Sequence, residues 1–186
     1  MSRNFEWLED EDLNDEDLDF DVVEEGKTEV DGVTSYGFVN EEGVMVTLHR
    51  EDGPAVERDD GSYEWHEQGR LHRIGGPAIE TADGRIEYWV NGVRHRVDGP
   101  ALVEADGTQR WYSNNYIHNM KGPAEIYPNG DKHWFQNGFR HREGGPAIVR
   151  ANGEKEYWMC GDRLEGPLWE KDEPDEEEDP RKEKLS

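Results

Sequence analysis

Five histidines, His49, His72, His95, His118 and His141, stand 23 residues apart without slippage, and no other feature limits the fold as tightly. The Gly-Pro-Ala triplets beginning at Gly53, Gly76, Gly99, Gly122 and Gly145 keep the same period, as do the rings Trp65, Tyr88, Trp111, Trp134 and Tyr157. Two turn columns complete the unit. One reads Asp60-Gly61, Asp83-Gly84, Asp106-Gly107, Asn129-Gly130 and Asn152-Gly153; the other reads Gln68-Gly69, Asn91-Gly92, Asn114-Asn115, Asn137-Gly138 and Cys160-Gly161. A period held through that many columns marks one supersecondary unit repeated in tandem, which buries its apolar face by stacking on its neighbours.

Asn-Gly and Asp-Gly between short apolar runs are hairpin signals, because a type I′ turn needs positive φ at both central residues. The columns therefore predict two strands per unit: in the third, Ala101–Glu104, the Asp106-Gly107 turn and Gln109–Tyr112. Proline cannot donate to a central ladder, so the Gly-Pro-Ala column should mark strand starts. The expected fold is all-β: an elongated single-layer antiparallel sheet of tandem β-hairpin repeats with acidic flexible termini.

Four regions follow. Residues 1–31 form an acidic N-terminal arm with 14 acidic and 2 basic side chains, and 170–186 an acidic tail expected to be disordered. Residues 32–47 read as a capping hairpin (Val33–Asn40 and Val44–His49 around Glu41-Glu42-Gly43) out of register with the array. Residues 48–169 hold the five repeats and a decayed partial unit, Arg163–Leu168. A composition of 32% hydrophobic residues with net charge −24 ordinarily signals disorder, but seven Trp, seven Tyr and five Phe concentrate the apolar material in rings. That charge repels nucleic acid and anionic membrane and favours a basic protein surface. The one cysteine, Cys160, and the lack of a leader-like or spanning apolar stretch fit a cytoplasmic chain.

The pattern Leu-His-Arg-x-x-Gly-Pro-Ala…Asp-Gly…Trp-x-x-Asn-Gly over about residues 46–169 resembles the MORN repeat and its variants in phage and large-virus proteins. The resemblance implies an elongated sheet that acts as a binding scaffold. Antitoxin or immunity roles of some bacterial relatives imply neutralisation of another protein. The Gly-Pro-Ala and His-Arg columns depart from ordinary MORN units, so the lipid binding of some arrays is not implied.

Each ring of the first column is followed by another side chain: His66, Trp89, Tyr112, Phe135 and Trp158. Neighbours on a strand point to opposite faces, so both faces should carry rings. One ladder can pack on Pro and Ala. The other, Trp89, Tyr112, Phe135 and Trp158, is expected to meet a partner, a second copy or the chain's own tail. The arm supplies further candidate contacts: Phe5, Trp7, Leu8 and Phe20, with the carboxylates of Asp10, Glu11, Asp12, Asp15, Glu16 and Asp17. Acidic-hydrophobic segments of this kind fold on basic or apolar partners, although a merely solvated tail has the same charge.

Corresponding histidines lie two strands, or roughly 9.6 Å, apart, too far to share a zinc ion, so each His is expected to bond its own turn. The His-Arg pairs make a basic stripe that either neutralises Glu51, Asp52, Asp98 and Glu143 or docks the acidic arm. Nucleic-acid mimicry by the repeats is weakened because no column is acidic throughout: positions 64, 87, 110, 133 and 156 read Glu, Glu, Arg, His, Glu. No phosphate loop, nucleophile elbow or metalloprotease motif is present, so neither catalytic residues nor a cofactor are expected. The expectation is a non-enzymatic protein-binding repeat protein, an inhibitor or immunity protein against a basic, nucleic-acid-handling target. It would bind neither nucleic acid nor membrane. The alternative is a scaffold module that self-associates, a homodimer included, or folds the arm onto its own sheet.

Overall fold

The computed structural model describes residues 24–167, so residues 1–23 of the arm and the 170–186 tail lie outside the described residues. The two turn columns fold differently. In the second, Asn91 (φ 51°) and Gly92 (φ 77°) are both left-handed, and Gln68-Gly69, Asn114-Asn115, Asn137-Gly138 and Cys160-Gly161 repeat that pair. These are type I′ turns. In the Asp-Gly column only the glycine is left-handed, as at Gly84 (φ 91°). There Gly84 N–H donates to Thr81 O and Thr81 N–H to Arg85 O, both at 2.9 Å. This is a type I turn followed by a glycine bulge, not the expected type I′. The aspartate cannot be read as permitting positive φ. It is there to accept a hydrogen bond two residues on, as Asp60 Oδ1 does from Ser62 N–H at 2.8 Å.

Each repeat makes two hairpins where one was expected. In the first, β4 (Val56–Arg58) pairs with β5 (Tyr63–Glu64), and β6 (His66–Glu67) with β7 (Arg70–Leu71). The break falls at the aromatic column because its backbone groups are claimed from outside the strand. Trp65 N–H donates to Ala78 O at 2.8 Å, and Trp65 O accepts from His72 N–H at 3.0 Å. The same pair of bonds recurs at Tyr88, Trp111 and Trp134. The first hairpins of all repeats join one 14-stranded antiparallel sheet whose order follows the chain. The second hairpins of repeats one to four stand beside it as two-stranded pairs. They too are stitched together, for Gly92 N–H donates to Leu71 O at 2.9 Å and Gly138 N–H to Ile117 O at 2.9 Å. The all-β hairpin-repeat architecture is as the sequence implied, with a second tier of hairpins that it did not.

The capping hairpin is in register with the array. β1 (Glu24–Val30) and β2 (Val33–Val39) pair around the type I′ turn Asp31-Gly32, so residues 24–30 belong to the sheet and not to a free arm. Ser35 of β2 faces Val56 of β4. Tyr36 N–H donates to Ala55 O at 2.8 Å and His49 N–H to Tyr36 O at 3.0 Å, the bonds of the aromatic column. Tyr36 is therefore a sixth member of that column. The second hairpin of this unit, β2 with β3 (Met45–Leu48), is lengthened and carries a bulge, which hides its kinship in the sequence.

The core lies along the sheet between adjacent units. Ala55, Ala78, Ala101, Ala124 and Ala147 are fully buried. One cross-strand row runs Val56, Glu64, Ile79, Glu87, Leu102, Arg110, Glu125, His133, Ile148 and Glu156, all on one face. Apolar and charged side chains alternate along it until the fourth repeat, where Glu125 takes an apolar place. Its two neighbours there are Arg110 and His133 instead of glutamates, so the charge is compensated within the row. Among the described residues there is no helix, hence none long and apolar enough to cross a membrane.

Candidate interaction surface

Counting from each histidine, the repeats are 49–71, 72–94, 95–117, 118–140 and 141–163. The histidine is a staple. Backbone N–H of Gln68, Asn91, Asn114, Asn137 and Cys160 donates to Nδ1 of His49, His72, His95, His118 and His141 at 3.1–3.4 Å. Each His thus bonds the type I′ turn of its own repeat, as expected. Among the described residues no three His, Cys, Asp or Glu side chains converge as a metal site.

The arginine beside the histidine caps the ring of the preceding unit. Arg50, Arg73, Arg96 and Arg142 lie 4.0, 3.7, 3.8 and 3.9 Å from the ring centroids of Tyr36, Trp65, Tyr88 and Trp134. Each also donates to a proline carbonyl four residues on, at 3.0–3.2 Å. A guanidinium over an aromatic face contributes on the order of 0.5–2 kcal/mol, more than the exposed ion pairs first considered for it. Arg50 and Arg73 also meet Glu57 and Glu80, at 2.8 and 2.7 Å. In repeats 3 and 5 that place is Val103 and Val149, and Arg96 and Arg142 have no ion-pair partner among the described residues. Asn119 breaks the column in repeat 4; it still reaches Pro123 O at 2.8 Å but gives Trp111 no guanidinium cap.

The second ladder is not bare. Trp89, Tyr112, Phe135 and Trp158 are half-buried, and the chain's own charges flank them. Arg94 sits between Trp89 and Tyr112 (4.7 and 4.8 Å), and Arg140 between Phe135 and Trp158 (5.9 and 5.1 Å). Glu87, 1% exposed, accepts from Trp89 Nε1 at 2.9 Å, from Arg94 Nη2 at 2.5 Å, and pairs with Arg85. Glu156 repeats the arrangement with Trp158 Nε1, Arg150 and Arg163. The ladder expected to stand uncovered is thus half-buried, flanked by long side chains from the sheet. In the first repeat His66 replaces the ring. The hydrogen bond from His66, with Arg58 beside it, holds the Glu64 carboxyl down at about 2. At Glu125 burial opposes ionisation, but hydrogen bonds from His133, Tyr127 and Arg110 outweigh it and the pKa falls.

The most exposed apolar side chains were missed. Ile74, Val97 and Met120, 87%, 76% and 82% exposed, occupy one position on the loops two residues after His in repeats 2, 3 and 4. Repeats 1 and 5 have Glu51 and Glu143 there. The signal of Ile74, Val97 and Met120 in the sequence is an apolar residue kept in one loop column through repeats 2, 3 and 4. Clefts open between successive loops. One is lined by Ile74 and Val97 over Trp89 and Val90, another by Met120 and Arg142 over Trp134 and Phe135. The loop tips and the rings below them thus make one surface, with Trp89 and Phe135 of the second ladder sharing the cleft floors with Tyr88 and Trp134 of the first column. Tyr116 and Phe139, about 60% exposed, stand on the second hairpins of repeats 3 and 4. Of the remaining candidates, Phe5 to Phe20 lie outside the described residues, and Trp158 lies in the last repeat, past the apolar tips. Comparison with family models, curated proteins and solved structures gives no match to the chain.

Proposed function

We propose that this chain is a non-enzymatic protein-binding repeat array whose contact surface is the cleft row over repeats 2–4. One observation carries the reading: Ile74, Val97 and Met120 are solvent-exposed at equivalent loop positions, over clefts whose floors include Trp89 and Phe135. A spaced row of exposed apolar side chains with acidic residues at both ends is the layout of an interface with a charged rim. Net charge −24 selects a partner with a basic surface and speeds its approach at low salt. A protein that handles nucleic acid has such a surface, and covering it is how an inhibitor or immunity protein would act. The test is capture from a host lysate by the full chain and by the triple variant Ile74→Asp, Val97→Asp, Met120→Asp. These positions are exposed, so the variant should keep the wild-type circular dichroism and melting curve. Proteins retained by the wild type, less so at high salt, should be lost by the variant. Equal capture by both would sink the reading.

A further inference from the structure

Taking the cleft row as the binding surface, we infer that the chain's own N-terminal arm, residues 5–20, occupies it until a partner displaces it. The topology puts the arm at the start of the row. Ser35 faces Val56 just as Glu64 faces Ile79, so β1 stands where later units have the loop and the strand after it. The first cleft accordingly has Glu25, Gly26 and Lys27 as one wall and Glu51 and Asp52 as the other, with Tyr36 as part of its floor. The second has the 49–54 and 72–74 loops as walls over Trp65 and His66. The chain before Glu24 therefore leaves from the first loop position of the row. Twenty-three residues can extend about 75 Å, whereas five loops two strands apart span roughly 40 Å. The arm reaches every cleft.

The chemistry matches along the row. Over repeats 3 to 5 the clefts hold Arg96, Lys121 and Arg142 against Asp98 and Glu143, a local cationic excess in a chain of net charge −24. Arg96 and Arg142 are fixed on rings with carbonyl partners and no carboxylate among the described residues. The arm offers Phe5, Trp7, Leu8, Leu13, Leu18 and Phe20 between carboxylates, apolar groups for the clefts and acids for those arginines. A basic partner competes for both halves of the contact: it draws off the carboxylates and takes the apolar clefts. The arm is then a built-in competitor that raises the affinity a partner must have.

The test uses the full chain with Cys160→Ser to remove the native thiol and Asn14→Cys to carry a nitroxide. At low salt the methyl signals of Ile74, Val97 and Met120 should fall below half their intensity in the reduced-label control. The methyls of Val30 and Val33, at the far turn of the sheet, should keep theirs. High salt should restore the three signals, and Val97→Asp with Met120→Asp in the same chain should restore that of Ile74, the one of the three methyls the variant keeps. Unchanged signals at the three positions, or equal loss at Val30, overturn the inference. So does broadening in a mixture of isotope-labelled unspun chains and spin-labelled unlabelled ones, which would place a second copy's arm on the row. Partner capture by the loop variant reads the surface itself, so loss of arm contact with capture retained separates the two conclusions.

Discussion

Two ring columns run the length of the sheet one residue apart, and they are built on opposite terms. The column of Tyr36, Trp65, Tyr88, Trp111, Trp134 and Tyr157 holds only Tyr or Trp, its first five members share one pattern of backbone bonding, and wherever the sequence supplies arginine it is capped at 3.7–4.0 Å. The column of His66, Trp89, Tyr112, Phe135 and Trp158 varies in ring, partner and polarity, with Arg94 and Arg140 each shared between two rings. The first holds neighbouring units together. The second can vary because its support comes from side chains that change with it. A residue's constancy from unit to unit therefore marks the joint, and its variation marks where one cleft differs from the next.

The largest test of this contrast is Glu87→Ala. It strips the shared acceptor from Arg85, Arg94 and the Trp89 indole in a site 1% exposed, and should cost about 3–5 kcal/mol in denaturant unfolding. A loss under 1 kcal/mol would mean that the second ladder does not depend on its buried charge. Next, Trp134→Ala should cost roughly 3 kcal/mol, and Phe135→Ala less than half as much while weakening partner capture more. The reverse order would break the comparison. Acid titration sharpens it at the unit where His66 replaces the ring. Glu64 has its pKa depressed from 4.5 to about 2, so its stabilising effect is present above 4.5 and lost as pH falls from 4.5 towards 2. The melting temperature of Glu64→Gln should fall less steeply than that of the wild type across that window. The smallest effect is Asn119→Arg, which supplies the missing cap over Trp111. It should add about 0.5 kcal/mol, read as a small rise in melting temperature.

The period and the second turn column were legible because backbone geometry admits few residue types: positive φ at both centres explains Asn91-Gly92, and the His staple follows from its fixed place beside that turn. The split of each repeat was not, since nothing within Gln109–Tyr112 interrupts a single strand and the break at Trp111 depends on bonds to Ala124 and His118 in the next unit. Nor was the compensation around Glu125. The column Glu, Glu, Arg, His, Glu looks merely irregular until register sets Arg110 and His133 on either side of it. The β1–β2 unit escaped because its lengthened second hairpin breaks the 23-residue spacing although its bonds to Ala55 and His49 are unchanged. The candidate surface was half legible. Trp89 and Phe135 of its floor stand out as ring neighbours in the sequence, whereas its exposed tips lie in a loop column that is apolar in only three of the five repeats.

Strand order in the main sheet follows chain order almost without exception. Pulled from its two ends, such a sheet gives way by peeling, since the load falls on the outermost ladder alone and never shears many rungs together. Each unit released frees 23 residues, up to about 80 Å of contour, before the next ladder bears the tension. Under load the array would lengthen in equal steps at low force, a spring with one notch per histidine.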